Sequence, residues 1–299
     1  MRILSLFDCN LESIVKFLPE IKHQGFDAVQ ISPLQNTKDD SSREWWMLYQ
    51  PINFNIGNRI GDRDSLKCLC EEAKKYGITI IADAVFNHLA STNNTGSLDP
   101  HPWCDKEILE NPDSFKVKRN IDNWDDRYQV THYCMNLPGL NPNSRLVQRK
   151  VINMLNDYIY LGVGGFRFDA AKSIALPEEG CDFFPNITYS LNGWMAMIYG
   201  EVLFADKELI QKYARYMKVL TNSDAYNNSD IVKFIENKDS YLSKDLGWTK
   251  NVDINTINNW YRGICAYYPN TLYYARNYTE DWHSWRREEV RGANLVLKK

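Results

Sequence analysis

Apolar and polar positions along this chain follow two periods in turn. Short apolar runs at about Ile3–Phe7, Ala28–Ser32, Ile78–Val85, Gly164–Phe168, Ala196–Val202, Lys218–Asn222, Ile231–Ile235 and Thr271–Ala275 read as strands. Between them, apolar residues recur at helical spacing. Leu11, Ile14, Val15, Leu18 and Ile21 form one such stripe, and Val147, Val151, Met154, Leu155 and Tyr158 form another within a helix over about 144–161. Further helices are expected over 63–76, closed by Gly77, over 207–216 and over 282–290. Residues from about 34 to 62 read as a long loop rich in Trp and Tyr. Loops that long in a compact domain usually carry function. A Pro-, Gly- and Phe-rich loop is expected from the fourth strand to about Asn192. Strands alternating with helices predict an α/β fold with a parallel sheet. Only eight residues, 223–230, separate the sixth and seventh runs. A parallel crossover normally needs a dozen or more, so the sheet is expected to be irregular near strand 6.

The strand ends carry the chemistry. In Gly165-Phe166-Arg167-Phe168-Asp169, Arg167 and Asp169 are two apart and share a face. An arginine beside an aspartate orients the carboxylate and favours its charged form, as a nucleophilic carboxylate requires. A structural ion pair would look the same in isolation. Three other apolar runs, however, end in polar groups: one at Asn87 and His88, one at Glu201 and one at Asp239. Catalytic groups of a parallel barrel sit at the C-terminal ends of its strands.

These four segments, in this order, resemble the four motif regions of the alpha-amylase family (glycoside hydrolase family 13). Ile31-Ser32-Pro33, Trp46-Met47-Leu48-Tyr49-Gln50-Pro51, Ile56-Gly57-Asn58-Arg59 and Phe183-Phe184-Pro185-Asn186-Ile187-Thr188 extend the likeness over about residues 3–276. The resemblance implies a TIM (β/α)8 barrel formed by residues 1–88 and 145–299. A small domain B, residues 89–144, is inserted after strand 3. It is too small for a core of its own and is expected to lean on the barrel. The C-terminal β-sandwich common in the family has no counterpart in this sequence.

The resemblance also implies retaining chemistry, which uses two carboxyl groups flanking the scissile bond. Asp169 becomes the nucleophile, Glu201 the general acid/base and Asp239 the third acid. Tyr49, Gln50, His88, Arg167, Lys172 and Lys238 become substrate-binding residues. The expected activity is endo-acting α-1,4-glucan hydrolysis on starch, glycogen or maltooligosaccharides. The alternatives are a degenerate, non-catalytic α-glucan-binding protein, or a transglycosylase or α-glucosidase of the same family.

The chain departs from the family pattern in three places. The fourth motif reads Asn237-Lys238-Asp239 where a histidine is usual in the middle. Ser173 follows Lys172 where a histidine is usual. Gly139 stands in Leu137-Pro138-Gly139 where the family has an aspartate that binds calcium. Ser173 would still offer its backbone oxygen, and Asn87 remains a possible calcium ligand. A site with fewer hard oxygens binds calcium more weakly, so calcium is possible but not assured.

Composition adds bounds. The 299 residues suit one barrel with an excursion, and 44% apolar content is ordinary for a globular core. The net charge of −3 is spread along the chain without a basic block, which offers nothing to nucleic acid. Seven cysteines show no metal-type spacing and read as free thiols of a reducing compartment. The start is too short in apolar residues for a signal peptide, and no run is long enough to span a membrane. A cytoplasmic protein is expected, or a secreted one if a leader was removed.

Overall fold

The computed structural model describes residues 2–221, apart from 24, 43 and 95, together with strands 231–234 and 272–278. Eight parallel strands form a curled sheet that closes on itself: β1 (Arg2–Phe7), β2 (Ala28–Ile31), β5 (Thr79–Ala84), β6 (Gly165–Phe168), β7 (Met197–Glu201), β8 (Lys218–Thr221), β9 (Ile231–Phe234) and β10 (Leu272–Tyr278). Each pairs with the next, and β10 returns to β1 with Ile3 opposite Tyr274. β8 and β9 pair directly, Val219 opposite Ile231. The ladder therefore continues across the place where irregularity was expected; the connection itself lies outside the described residues, as does the helix expected over 282–290.

Helices α1 (Leu11–His23), α2 (Arg63–Lys75), α5 (Arg145–Tyr160) and α7 (Lys207–Tyr213) follow strands as the periodicity predicts. Helix α2 starts on a capping box between Asp62 and Ser65 and ends at Gly77, whose φ is 62°.

Two expectations needed correction. The Trp- and Tyr-rich loop contains a small antiparallel sheet, β3 (Gln35–Thr37) with β4 (Pro51–Ile56), joined through a 3-10 turn at Trp45–Tyr49. Strand β3 is too short to display a period of two. The loop before β7 contains helix α6 (Phe183–Tyr189). Pro185 disguised it, yet a proline in the first turn leaves no internal hydrogen bond unmade. In the excursion between β5 and α5, only α3 (Lys106–Leu109) and α4 (Arg127–His132) are α-helical among the described residues.

The period-two pattern of the strands separates two apolar layers. Leu4, Leu6, Val29, Ile31, Ile80, Ala82, Phe166 and Phe168 point outward and pack against Ile14 and Leu18 of α1, Leu66 and Leu69 of α2 and Val151 and Tyr158 of α5. Ile3, Ala28, Ile81, Met197, Tyr199 and Leu220 fill the lumen as a second cluster. There the Tyr199 hydroxyl donates to Gln30 Oε1, which settles both buried polar groups.

Gly200 sits where β7 meets the outer layer. A Cβ there would lie 2.5 Å from Met217 Sδ and 2.7 Å from the Ala171 Cβ. Gly200→Ala should therefore cost about 1–3 kcal/mol by overpacking. Urea unfolding reads this directly, and an unchanged midpoint would contradict so tight a contact.

Candidate active site

The inward-facing parity that places Ile81, Gly165 and Tyr199 in the lumen brings Asp83, Arg167, Asp169 and Glu201 to one end of the barrel. Asp83 is opposite Arg167 in the β5–β6 ladder, and Arg167 is opposite Tyr199 in the β6–β7 ladder. The Arg167 guanidinium is the hub. Its Nη1 donates to Asp83 Oδ1 at 2.7 Å, Asp83 Oδ2 at 2.9 Å and Asp169 Oδ1 at 2.7 Å. Its Nη2 lies 2.5 Å from Glu201 Oε1. Glu201 Oε2 accepts from the backbone N–H of Ala170 at 3.2 Å. Ala170 takes a left-handed φ of 47°, a sparsely populated conformation for a residue with a side chain, and this turns the chain directly after Asp169.

Three carboxylates on one buried cation balance unevenly. Burial opposes the charge of Arg167, yet Asp83, Glu201 and Asp169 hold its pKa above the ordinary arginine range. Asp83 is fully buried; burial first, and then the charge of Asp169, push it up to about 7 against the pull of Arg167.

Tyr49 closes one side. Its hydroxyl donates to Asp83 Oδ2 at 2.8 Å, and its ring lies 5.9 Å from the Arg167 guanidinium. His88 Nε2 donates to the Tyr49 carbonyl at 3.0 Å, which leaves Nδ1 as a buried bare acceptor. Burial lowers the His88 pKa and keeps the ring neutral. Gln50 is buried, and its Oε1 accepts from the Ser91 backbone at 3.0 Å, tying the 3-10 turn to the excursion.

Lys172 stands apart from the carboxylates. Its Nζ donates to the Phe204 carbonyl at 2.9 Å in a groove also lined by Trp124 and Asp206, and burial lowers its pKa. Asn87 faces away from the cluster, where its Oδ1 accepts from Lys116 Nζ at 2.8 Å. The same amine donates to the Ser173 carbonyl at 2.6 Å. Burial pushes Lys116 down to about 7, and an amine donates in either protonation state. Asp239 and Lys238 lie outside the described residues.

The family model of the alpha-amylase catalytic domain matches residues 8–275. This chain belongs to the alpha-amylase family. An alpha-amylase of Clostridium acetobutylicum is 38% identical over 244 residues, which are 76% of this chain and 31% of that protein. The chain thus spans about a third of the length of that relative. Among solved structures, a mutant of Eisenia fetida alpha-amylase I in complex with maltohexaose has a TM-score of 0.72 at 19% identity, covering 92% of this chain and 66% of that one. Geobacillus thermoleovorans alpha-amylase, complexed with acarbose, has a TM-score of 0.66 at 16% identity, covering 92% of this chain and 69% of that one. At these identities the two structures speak to the fold alone.

Within this family member, Tyr49, Arg167, Asp169 and Glu201 are the residues the sequence offers as site candidates that the fold brings into one cluster, with His88 attached through Tyr49. The sequence did not single out Asp83, although its spacing of two from Ile81 places it on the lumen face. Arg127 was missed too. Its guanidinium reaches Glu179 Oε1 at 2.6 Å and the Tyr213 hydroxyl at 2.7 Å, fastening α4 to the loop after β6 and to α7.

Proposed function

We propose that this chain is a retaining, endo-acting α-1,4-glucan hydrolase acting on starch, glycogen or maltooligosaccharides. The observation that carries the reading is the grip of one guanidinium on two carboxylates at adjacent strand ends, Nη1 on Asp169 and Nη2 on Glu201. Carboxyl groups so tethered suit the retaining separation of about 5–5.5 Å, whereas inverting pairs stand wider to admit a water. The maltohexaose and acarbose held by the structural neighbours support an α-glucan as the ligand.

In this reading an Asp169 oxygen attacks the anomeric carbon while Glu201 gives its proton to the glycosidic oxygen. The aglycone half of the chain leaves as an alcohol, and a glycosyl ester forms on Asp169. Glu201 then takes a proton from water, the water oxygen attacks the same carbon, and the Asp169 carboxylate is released. Arg167 holds the nucleophile in line, and Tyr49 offers an aromatic face to the sugar. Asp239 would grip ring hydroxyls, His88 the same sugar, and Lys172 the leaving-group side. We also infer that residues 89–144 form the inserted domain B. Its bonds to the barrel through Lys116, Arg127 and the Lys150–Asp105 pair at 2.7 Å support that division.

Reducing-sugar release from soluble starch tests the assignment. Glu201→Gln should lower kcat by about 10²–10⁴-fold, the usual worth of a general acid–base group. Unchanged activity in that variant would refute it. Maltooligosaccharide binding by the wild type without any turnover would instead favour the degenerate binding protein.

A further inference from the structure

The family resemblance implies calcium between the excursion and the barrel, held by Asn87, the Ser173 carbonyl and a carboxylate where Gly139 now stands. The side chains at that place do not form a cage for it. The two oxygens that the resemblance assigns to the ion, Asn87 Oδ1 and Ser173 O, both accept from Lys116 Nζ, at 2.8 and 2.6 Å. Lys116 is buried, and among the described residues no carboxylate bonds its amine. Two sulfur atoms stand beside these groups. Met135 Sδ accepts from Asn87 Nδ2 at 3.4 Å and from Ser173 Oγ at 3.0 Å, and Cys134 Sγ donates to the Val117 carbonyl at 3.4 Å. Calcium takes six to eight oxygens, and thioether and thiol sulfur are poor ligands for so hard a cation.

The glycine and the lysine are coupled. The Lys116 N–H donates to the Gly139 carbonyl at 2.8 Å, which lays the lysine stem across Gly139. A Cβ at position 139 would meet Lys116 Cδ at 3.0 Å and Cys134 Sγ at 3.2 Å. An aspartate there and the lysine stem in its present course would crowd each other.

We infer that the Lys116 amine replaces the calcium ion of the resemblance. It pins the loop after β5, the turn after β6 and the excursion together, so that this chain needs no metal to hold its site. Unlike an ion, this cross-link cannot be stripped by a chelator.

The test reads thermal unfolding of the full chain, with metal analysis after gel filtration in calcium, and so does not depend on glucan hydrolysis. The wild-type midpoint should be the same in excess EGTA and in millimolar calcium, with no stoichiometric calcium retained. Lys116→Met should lower the midpoint, because Asn87 Oδ1 and Ser173 O lose their shared donor in a buried place, and calcium should not restore it. Lys116→Ala combined with Gly139→Asp should acquire a midpoint that rises with calcium, since a ligand bound only by the folded state stabilises it. A calcium-dependent midpoint or retained calcium in the wild type would overturn the inference, whatever the variants do. So would a Lys116→Met midpoint equal to wild type.

Discussion

Asp169→Asn should abolish starch hydrolysis, lowering kcat by at least about 10⁴-fold, while leaving the fold intact. The carboxamide is nearly isosteric, and its oxygen can still accept from Arg167 Nη1, which now lies 2.7 Å from Asp169 Oδ1. What it loses is the anionic oxygen proposed to form the glycosyl ester. The loss should appear in kcat with little change in KM, because the residue matters in the transition state more than in ground-state binding. Steady-state kinetics on maltooligosaccharides, with circular dichroism as the check on folding, distinguishes this from a structural defect. A variant retaining a tenth or so of wild-type kcat would remove Asp169 from the nucleophile's role, since that residual rate is incompatible with loss of the covalent route.

Arg167→Met should have the second largest effect, and on stability as well as activity. The guanidinium is buried and is the shared partner of Asp83, Asp169 and Glu201. Removing one partner of a buried ion pair typically costs about 3–5 kcal/mol, because the remaining charge stays uncompensated. The pH dependence has a definite sign. Burial already raises Asp83 to about 7 with Arg167 bonded to it. Without the guanidinium its folded pKa rises further above the unfolded value. A raised folded pKa contributes stability at low pH that is lost as pH rises through it. The deficit of the variant should therefore be largest near pH 8 and shrink toward pH 5. Urea unfolding of both proteins at the two pH values reads this. A deficit that grows on acidification would mean that Asp83 is not the group left stranded.

The parts of this architecture that were readable in the sequence are those whose signal is local. Arg167 and Asp169 lie two residues apart on one strand, so a period of two places both in the lumen without any tertiary knowledge. Glu201 ends its strand on the same parity as Tyr199, and the helices α1, α2 and α5 show their buried stripes at helical spacing. Other parts needed the fold. Asp83 reads as one polar residue inside an apolar run, and its meaning comes from Arg167, 84 positions away. Lys116 lies in an irregular stretch with no period, and its partners are 29 and 57 positions distant. Helix α6 was hidden by Pro185, because a proline is weighed as a breaker unless its place in the first turn is known. The pairing of β8 with β9 after so short an interval contradicts the usual demand of a parallel crossover, and only the register shows it.

Asp169 is proposed to carry the sugar between the two halves of the reaction. The most direct measurement is trapping. The wild-type chain is incubated with a maltosyl fluoride deactivated by fluorine at C2, which slows both steps while the fluoride leaving group keeps the first one feasible. Intact-mass spectrometry and peptide mapping follow. One fluoromaltosyl adduct, displacing one fluoride, is expected on the peptide that contains Asp169, and none on Asp169→Asn. An adduct on another carboxylate, or turnover of starch with inversion at the anomeric centre, would contradict it.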